Sequence, residues 1–228
     1  MTAGLLINGA NGATQIDENY RNYFLVKSMR INAGAGGLAA LDGTKFSKQA
    51  LWAVIPLAAP GICPTPGGYY QSTRWFRYWF HLKTSVPTQV YIFDLVNPSG
   101  TTYGLEVFDA QSRLVYDGQG YPMKVHKLFS SAGLQPFGRP QYYDAPAGMT
   151  LAAAPLYGGN RYQDDSIGGD VEIWSTYGYV TGARWNFYDY YETFASGAPT
   201  TSDQGVAELL GLFIDVTHLP TEYSRAAA

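Results

Sequence analysis

Glu172, Asp189 and Glu192 stand near Trp174, Trp185 and Tyr188. Paired carboxylates among aromatic rings are what glycoside hydrolysis requires, one to protonate the leaving oxygen and one to attack or to activate water. Asp164, Asp165 and Asp170 surround Ser166-Ile167-Gly168-Gly169, and carboxylates on a glycine turn can offer oxygen ligands to calcium. Each group has a plainer reading. The first lies on stretches that read as strands, where neighbouring acids are common without catalysis; the second fits no recognised calcium loop and reads as a solvated turn. His81, His126 and His218 lie far apart with a single cysteine, so no zinc-site spacing exists. No Gly-x-Ser-x-Gly elbow presents a serine, and Cys63, between Ile62 and Pro64, reads as a small apolar residue rather than a reactive thiolate. The expectation is a chain with no catalytic residue, no metal ligand and no cofactor.

Aromatic clusters are the stronger signal. They comprise Tyr69-Tyr70, Trp75 to Phe80, Tyr142-Tyr143 and Phe187 to Tyr191. Successive residues of a strand face opposite ways, so consecutive aromatics place bulk on both faces. One face serves the core, and the other is a second packing surface or a binding surface. Tyrosine suits such a surface because it brings area at low entropy cost and carries a polar tip. The candidate interaction residues are therefore Tyr69, Tyr70, Tyr142, Tyr143, Tyr188, Tyr190 and Tyr191. Subunit packing is the leading use, carbohydrate stacking the second, and an ordinary core the alternative to both. Charged residues make up only 14% of the chain, against about 25% in an average domain, which suits a surface partly covered by copies or partners. Arg74 and Arg77 alternate with aromatics, but a net charge of −3 argues against a nucleic-acid partner.

The elements that must hold these residues are strands. Leu5-Leu6-Ile7 and Thr14 to Asp17 flank two Asn-Gly turns, a hairpin signal. Tyr23 to Ile31, Leu51 to Leu57, Arg74 to Leu82 and Gln89 to Val96 read as further strands. In the second half the strands are Gly104 to Asp109, Arg113 to Asp117, Met123 to Phe129, Met149 to Leu156, Asp170 to Thr181 and Arg184 to Thr193. Gly133 to Pro146, which contains Tyr142 and Tyr143, reads as a loop, and Val206 to Val216 as a strand. Glycine and proline recur throughout and leave little room for long helices. Many short strands between turns indicate an all-β protein of sandwich or barrel type. The stretch Ala50 to Cys63 contains Pro56, Pro60 and Gly61 and is too short to span a bilayer, so no stable membrane insertion is expected. The N-terminus lacks the positive charge and apolar run of a secretory signal.

Residues Gly4 to Asp17 reappear at Gly104 to Asp117. Gly, Leu, Ala and Asp are identical at positions 4, 5, 10 and 17 of the first copy, four of fourteen, where unrelated sequence gives roughly one. Ala53, Pro56 and Leu57 meet Ala152, Pro155 and Leu156 at an offset of 99, and Ile92-Phe93-Asp94 meets Phe187-Tyr188-Asp189 at 95. Collinear offsets imply two related, sandwich-like β units, 1–100 and 101–195, which pack separately or as one domain, followed by a C-terminal extension, 196–228.

The two opening hairpins resemble the short openings of tail-tip and minor tail proteins of tailed bacteriophages, in which Gly-Leu-x-Val, a polar turn and a closing Phe/Tyr-Asp recur. The resemblance covers about thirty residues, and Ser112 departs from it by replacing the turn glycine. It implies a non-enzymatic structural protein of a tail tip or baseplate, made in the host cytoplasm and residing in the virion, present as a symmetric oligomer. Its partners would be copies of itself and other tail proteins. On this reading Val206 to Val216 would add a strand to a neighbouring subunit or a second domain. The competing reading is an adhesin module of a tail fibre that binds a host surface glycan or pilus through the aromatic clusters.

Overall fold

The computed structural model describes residues 6–8, 14–17, 21–32, 38–42, 46, 50–57, 63–64, 69–70, 79–83, 87–97, 104–130, 141–157, 160–165, 170–196 and 210–225. Among them all regular structure is β-strand, as the turn-rich sequence requires, and the protein is all-β. The first half contributes β1 (Leu6–Asn8), β2 (Thr14–Asp17), β3 (Phe24–Ile31), β4 (Leu38–Asp42), β5 (Leu51–Pro56), β6 (Cys63–Pro64), β7 (Tyr69–Tyr70), β8 (Trp79–Lys83) and β9 (Thr88–Asp94). The second contributes β10 (Glu106–Phe108), β11 (Leu114–Asp117), β12 (Val125–Ser130), β13 (Gln141–Asp144), β14 (Leu151–Tyr157), β15 (Asn160–Asp165), β16 (Asp170–Thr181), β17 (Arg184–Ser196), β18 (Leu210–Asp215) and β19 (Tyr223–Ser224).

The two hairpins share one register. In β1–β2, Leu6 pairs with Asp17 and Ile7 with Ile16, with a shift before Asn8. In β10–β11, Glu106 pairs with Asp117 and Val107 with Tyr116, with a shift before Phe108. Every one of these positions corresponds at an offset of 100. The second turn is closed by Asp109, whose carboxylate accepts the backbone N–H groups of Gln111 and Arg113 at 2.9 and 2.8 Å. Ser112 there takes a φ of 59°, a left-handed conformation that a side chain makes costly and glycine does not. Gly12 is its counterpart in the first copy.

The larger sheets repeat the correspondence. The order β12-β18-β14-β5-β9-β3-β19 reads the same from either side of the β5–β14 contact: β3-β9-β5 in one half, β12-β18-β14 in the other. The contact itself pairs Val54 with Ala153, equivalent residues at the offset of 99, as a pseudo-dyad between antiparallel strands demands. Register shifts fall between Leu25 and Lys27 in β3 and between Val125 and Lys127 in β12, again 100 apart. Outside this sheet, β4-β8-β7 and β13-β17-β16 also match in order, with β15 added in the second half.

The sheet returns on itself. Leu25 N–H donates to the Tyr121 carbonyl and Met123 N–H to the Tyr23 carbonyl, both at 2.8 Å, around the bridge between Phe24 and Pro122. Six strands thus run around a closed interior, which holds Leu25, Ala53, Tyr91, Phe93, Ala152, Ala154 and Ile214, with Met123 partly buried at the seam. Alanines on the two central strands leave room for the rings of Tyr91 and Phe93. Burial also pushes the Tyr91 hydroxyl pKa above its ordinary value. On the outside of the ring, one cluster joins Phe24, Trp52, Val54, Val90 and Ile92 with Leu114 of the second hairpin. The other joins Leu151, Ala153 and Phe213 with Trp185 and Phe187 of β17. β9 is consequently buried along its whole length, which matches the apolar run Val90 to Phe93. Each large apolar side chain so buried contributes about 1.5–3 kcal/mol.

Three expectations change. Leu210–Asp215 is a strand, but it lies between β12 and β14 of its own sheet; it adds to no neighbouring subunit. Phe187 belongs to β17, which pairs with β13 and β16, while the place of β9 in the second half is filled by β18. The match at an offset of 95 therefore reflects the likeness of aromatic strands, and the second half's sheet extends past residue 195. Tyr142 and Tyr143 lie on a strand, not in a loop, because β17 supplies a pairing partner from some forty residues away. Residues 71–78 and 201–209 lie outside the described residues.

Candidate functional site

Strand β12 places Lys127 opposite Phe213 and Phe129 opposite Gly211 of β18. A side chain at 211 would collide with the Phe129 ring and stand 2.9 Å from the Ala154 carbonyl oxygen, so glycine lets Phe129 lie down on the sheet. Its ring then stacks on Phe187 at 4.8 Å and meets Phe213 at 4.6 Å. Tyr143 stacks on Phe213 at 4.8 Å. These rings form the floor of a cleft of about 270 Å³ between β12 and β13, whose rim is made by Lys127, Leu128, Ser130 and Tyr142.

Polar groups fix the wall. His126 Nε2 and the Tyr143 hydroxyl share a hydrogen bond of 2.7 Å, and the Lys127 ammonium stands 4.7 Å from the centre of the Tyr143 ring. Tyr142, 64% exposed, carries the Arg184 guanidinium 4.5 Å from its ring centre. Arg184 is held in turn by Asp144 through two hydrogen bonds of 2.6 and 2.9 Å, made possible because β13 and β17 pair these two residues. The hydrogen bond from Arg184 holds the Asp144 carboxyl below its ordinary pKa and raises that of Arg184. A carboxylate whose folded pKa is depressed keeps its partner as pH falls through its unfolded value, about 3.9, and releases it only below that. The Asp144–Arg184 pair therefore keeps its charges throughout the neutral and mildly acidic range.

Of the sequence-derived candidates, Tyr142 and Tyr143 meet at this cleft. Tyr188, Tyr190 and Tyr191 lie on the same five-stranded sheet, paired with Tyr177, Ser175 and Trp174 of β16. Tyr69 and Tyr70 lie on a different sheet, paired with Phe80 and Trp79. Asp165 and Asp170 close the β15–β16 hairpin, and among the described residues no group of three or more His, Cys, Asp or Glu side chains is placed to hold a metal ion. Sequence reading missed Lys127, Phe129 and Arg184. The strand from Met123 to Phe129 was legible, but nothing local links Lys127 and Phe129 to β13.

A second surface feature lies on the same half. Val125 and Leu128 of β12 are 51% and 55% exposed, and Leu156 of β14 is 44% exposed. Comparison with protein-family models, curated proteins and solved structures finds no match to the chain.

Proposed function

We propose that the protein is a non-enzymatic structural subunit of a bacteriophage tail tip or baseplate, resident in the virion, that assembles as a symmetric oligomer through the outer part of its second half. The observation that carries assembly is the exposure of three large apolar side chains on β12 and β14, Val125, Leu128 and Leu156. Exposed large apolar groups are candidates for a contact, and charged residues make up only 14% of the chain. The tail assignment is supported by the opening motif, which now occurs as two hairpins of one register. Other tail proteins would be its further partners. Sedimentation velocity of the purified protein tests assembly: the wild type is expected to sediment as a defined oligomer, and Val125→Asp with Leu156→Asp as a folded monomer. A wild-type protein that stays monomeric at every concentration overturns the reading.

The adhesin alternative is favoured by a different observation, the aromatic cleft beside Tyr142.

A further inference from the structure

We infer that the cleft between β12 and β13 binds an acidic saccharide: a pyranose ring bearing a carboxylate. The Tyr142 ring is exposed, with the Arg184 guanidinium over one face and Asp144 bound to Arg184. The face turned away from Arg184 can present its negative quadrupole to the weakly positive C–H face of a pyranose. Beside it, the Lys127 ammonium meets the Tyr143 ring, and no carboxylate among the described residues pairs with it in an ion pair. It offers up to three donors to an incoming anion.

The dimensions and charge select the ligand further. A volume of about 270 Å³ falls just below the range of small-ligand clefts, roughly 300–1,000 Å³, which limits the occupant to one ring and its substituents. One ammonium complements one carboxylate; a nucleoside di- or triphosphate would leave charge unmatched. An apolar peptide side chain would cover Lys127 without satisfying it, which is unfavourable. The hydroxyl groups of a sugar, in contrast, can exchange hydrogen bonds with the tyrosines and Ser130 at the rim. The cleft meets the assembly surface at Leu128, whereas Val125 and Leu156 do not line it, so the Val125→Asp with Leu156→Asp variant leaves the cleft lining intact.

The test is binding of the full chain to a glycan panel containing uronic and sialic acid sugars and their neutral counterparts, followed by calorimetry on the best ligand. Acidic members are expected to bind and neutral ones to bind at least tenfold more weakly. Lys127→Gln should weaken binding by roughly ten- to a hundredfold, and Tyr142→Ala should lower it at least as far, while Tyr142→Phe retains it. Both side chains lie at the surface, so unchanged near-ultraviolet circular dichroism will verify that the variants are folded. Equal affinity for neutral sugars, unchanged binding in Lys127→Gln, stronger binding of nucleotides or apolar peptides, or a panel with no ligand at all would each overturn the proposal.

Discussion

Strands β3 and β12 occupy equivalent places in the ring and live in opposite surroundings. β3 is buried along most of its length, whereas every residue of β12 is partly or fully exposed. One hundred positions apart, Ser28 is 3% exposed and Leu128 is 55% exposed, the reverse of what their side chains favour in isolation. The cause in β3 is the C-terminal segment. Tyr223–Ser224 pairs with Lys27 and Ser28, the Ser28 hydroxyl donates to the Pro220 carbonyl at 2.7 Å, and Arg225 N–H donates to the Val26 carbonyl at 2.7 Å. On the matching side of β12 the described contact is with the start of β3, through the bridge between Phe24 and Pro122 just before β12, and no described strand pairs with Val125–Ser130 itself on that side. One backbone pattern therefore serves two purposes: in the first half it is sealed by the chain's own tail, and in the second it leaves the apolar side chains of Val125 and Leu128 exposed.

The largest test of that comparison removes the sealing segment and its neighbour together. Deletion of 196–228 takes away β18 as well as β19, so loss of β-sheet circular dichroism and of a cooperative melting transition is expected. A truncated protein with native-like spectra would show that β12 and β14 can close without the strand between them.

A smaller lesion isolates the seal. Arg225 Nη1 donates to Asp117 Oδ2 at 2.7 Å, with the aspartate side chain 1% exposed, and Arg225 Nη2 reaches the Asn97 carbonyl at 3.0 Å. Asp117 also receives the Gln119 N–H at 2.8 Å. Removing the arginine leaves a buried carboxylate without its cation, at a cost of about 3 kcal/mol. Arg225→Ala should lower the urea midpoint accordingly and speed hydrogen exchange in β3 toward that of β12. Unaltered exchange in β3 would mean that the tail covers it without holding it.

The smallest effect bears on the hairpins. Ser112→Gly should raise stability by about 1 kcal/mol, since the left-handed strain at that position disappears, and the same hairpin register should be retained. A lowered melting temperature would count against the equivalence of the two turns.

What could be read from the chain follows the range of the interactions. The hairpins were legible because turn chemistry and alternation act over a dozen residues, and the opening repeat pointed to their shared register. The strand at Leu210–Asp215 was legible as well. Its neighbours were not, because insertion between Val125–Ser130 and Leu151–Tyr157 is decided by packing of Phe213 and Ile214 on opposite faces of the sheet, across sixty or more residues. For the same reason the sequence placed Tyr142 and Tyr143 in a loop: Pro140 and Pro146 bracket a segment whose strand character comes from β17. The cleft joins residues from four strands, and only Tyr142, Tyr143 and Phe187 stood out by type, as members of aromatic clusters.

The position of β18 also orders events during synthesis. Every strand that it joins precedes it in the chain, so a nascent polypeptide lacking residues 210–215 carries two unmatched edges, on β12 and β14, with Ala154 and Phe129 beside the gap. Long-range pairing of this kind is slow and leaves sticky edges exposed in the meantime. The ring can be completed only after most of the chain has left the ribosome, which makes production of this protein sensitive to temperature and chaperone supply in a way that its final stability does not reveal.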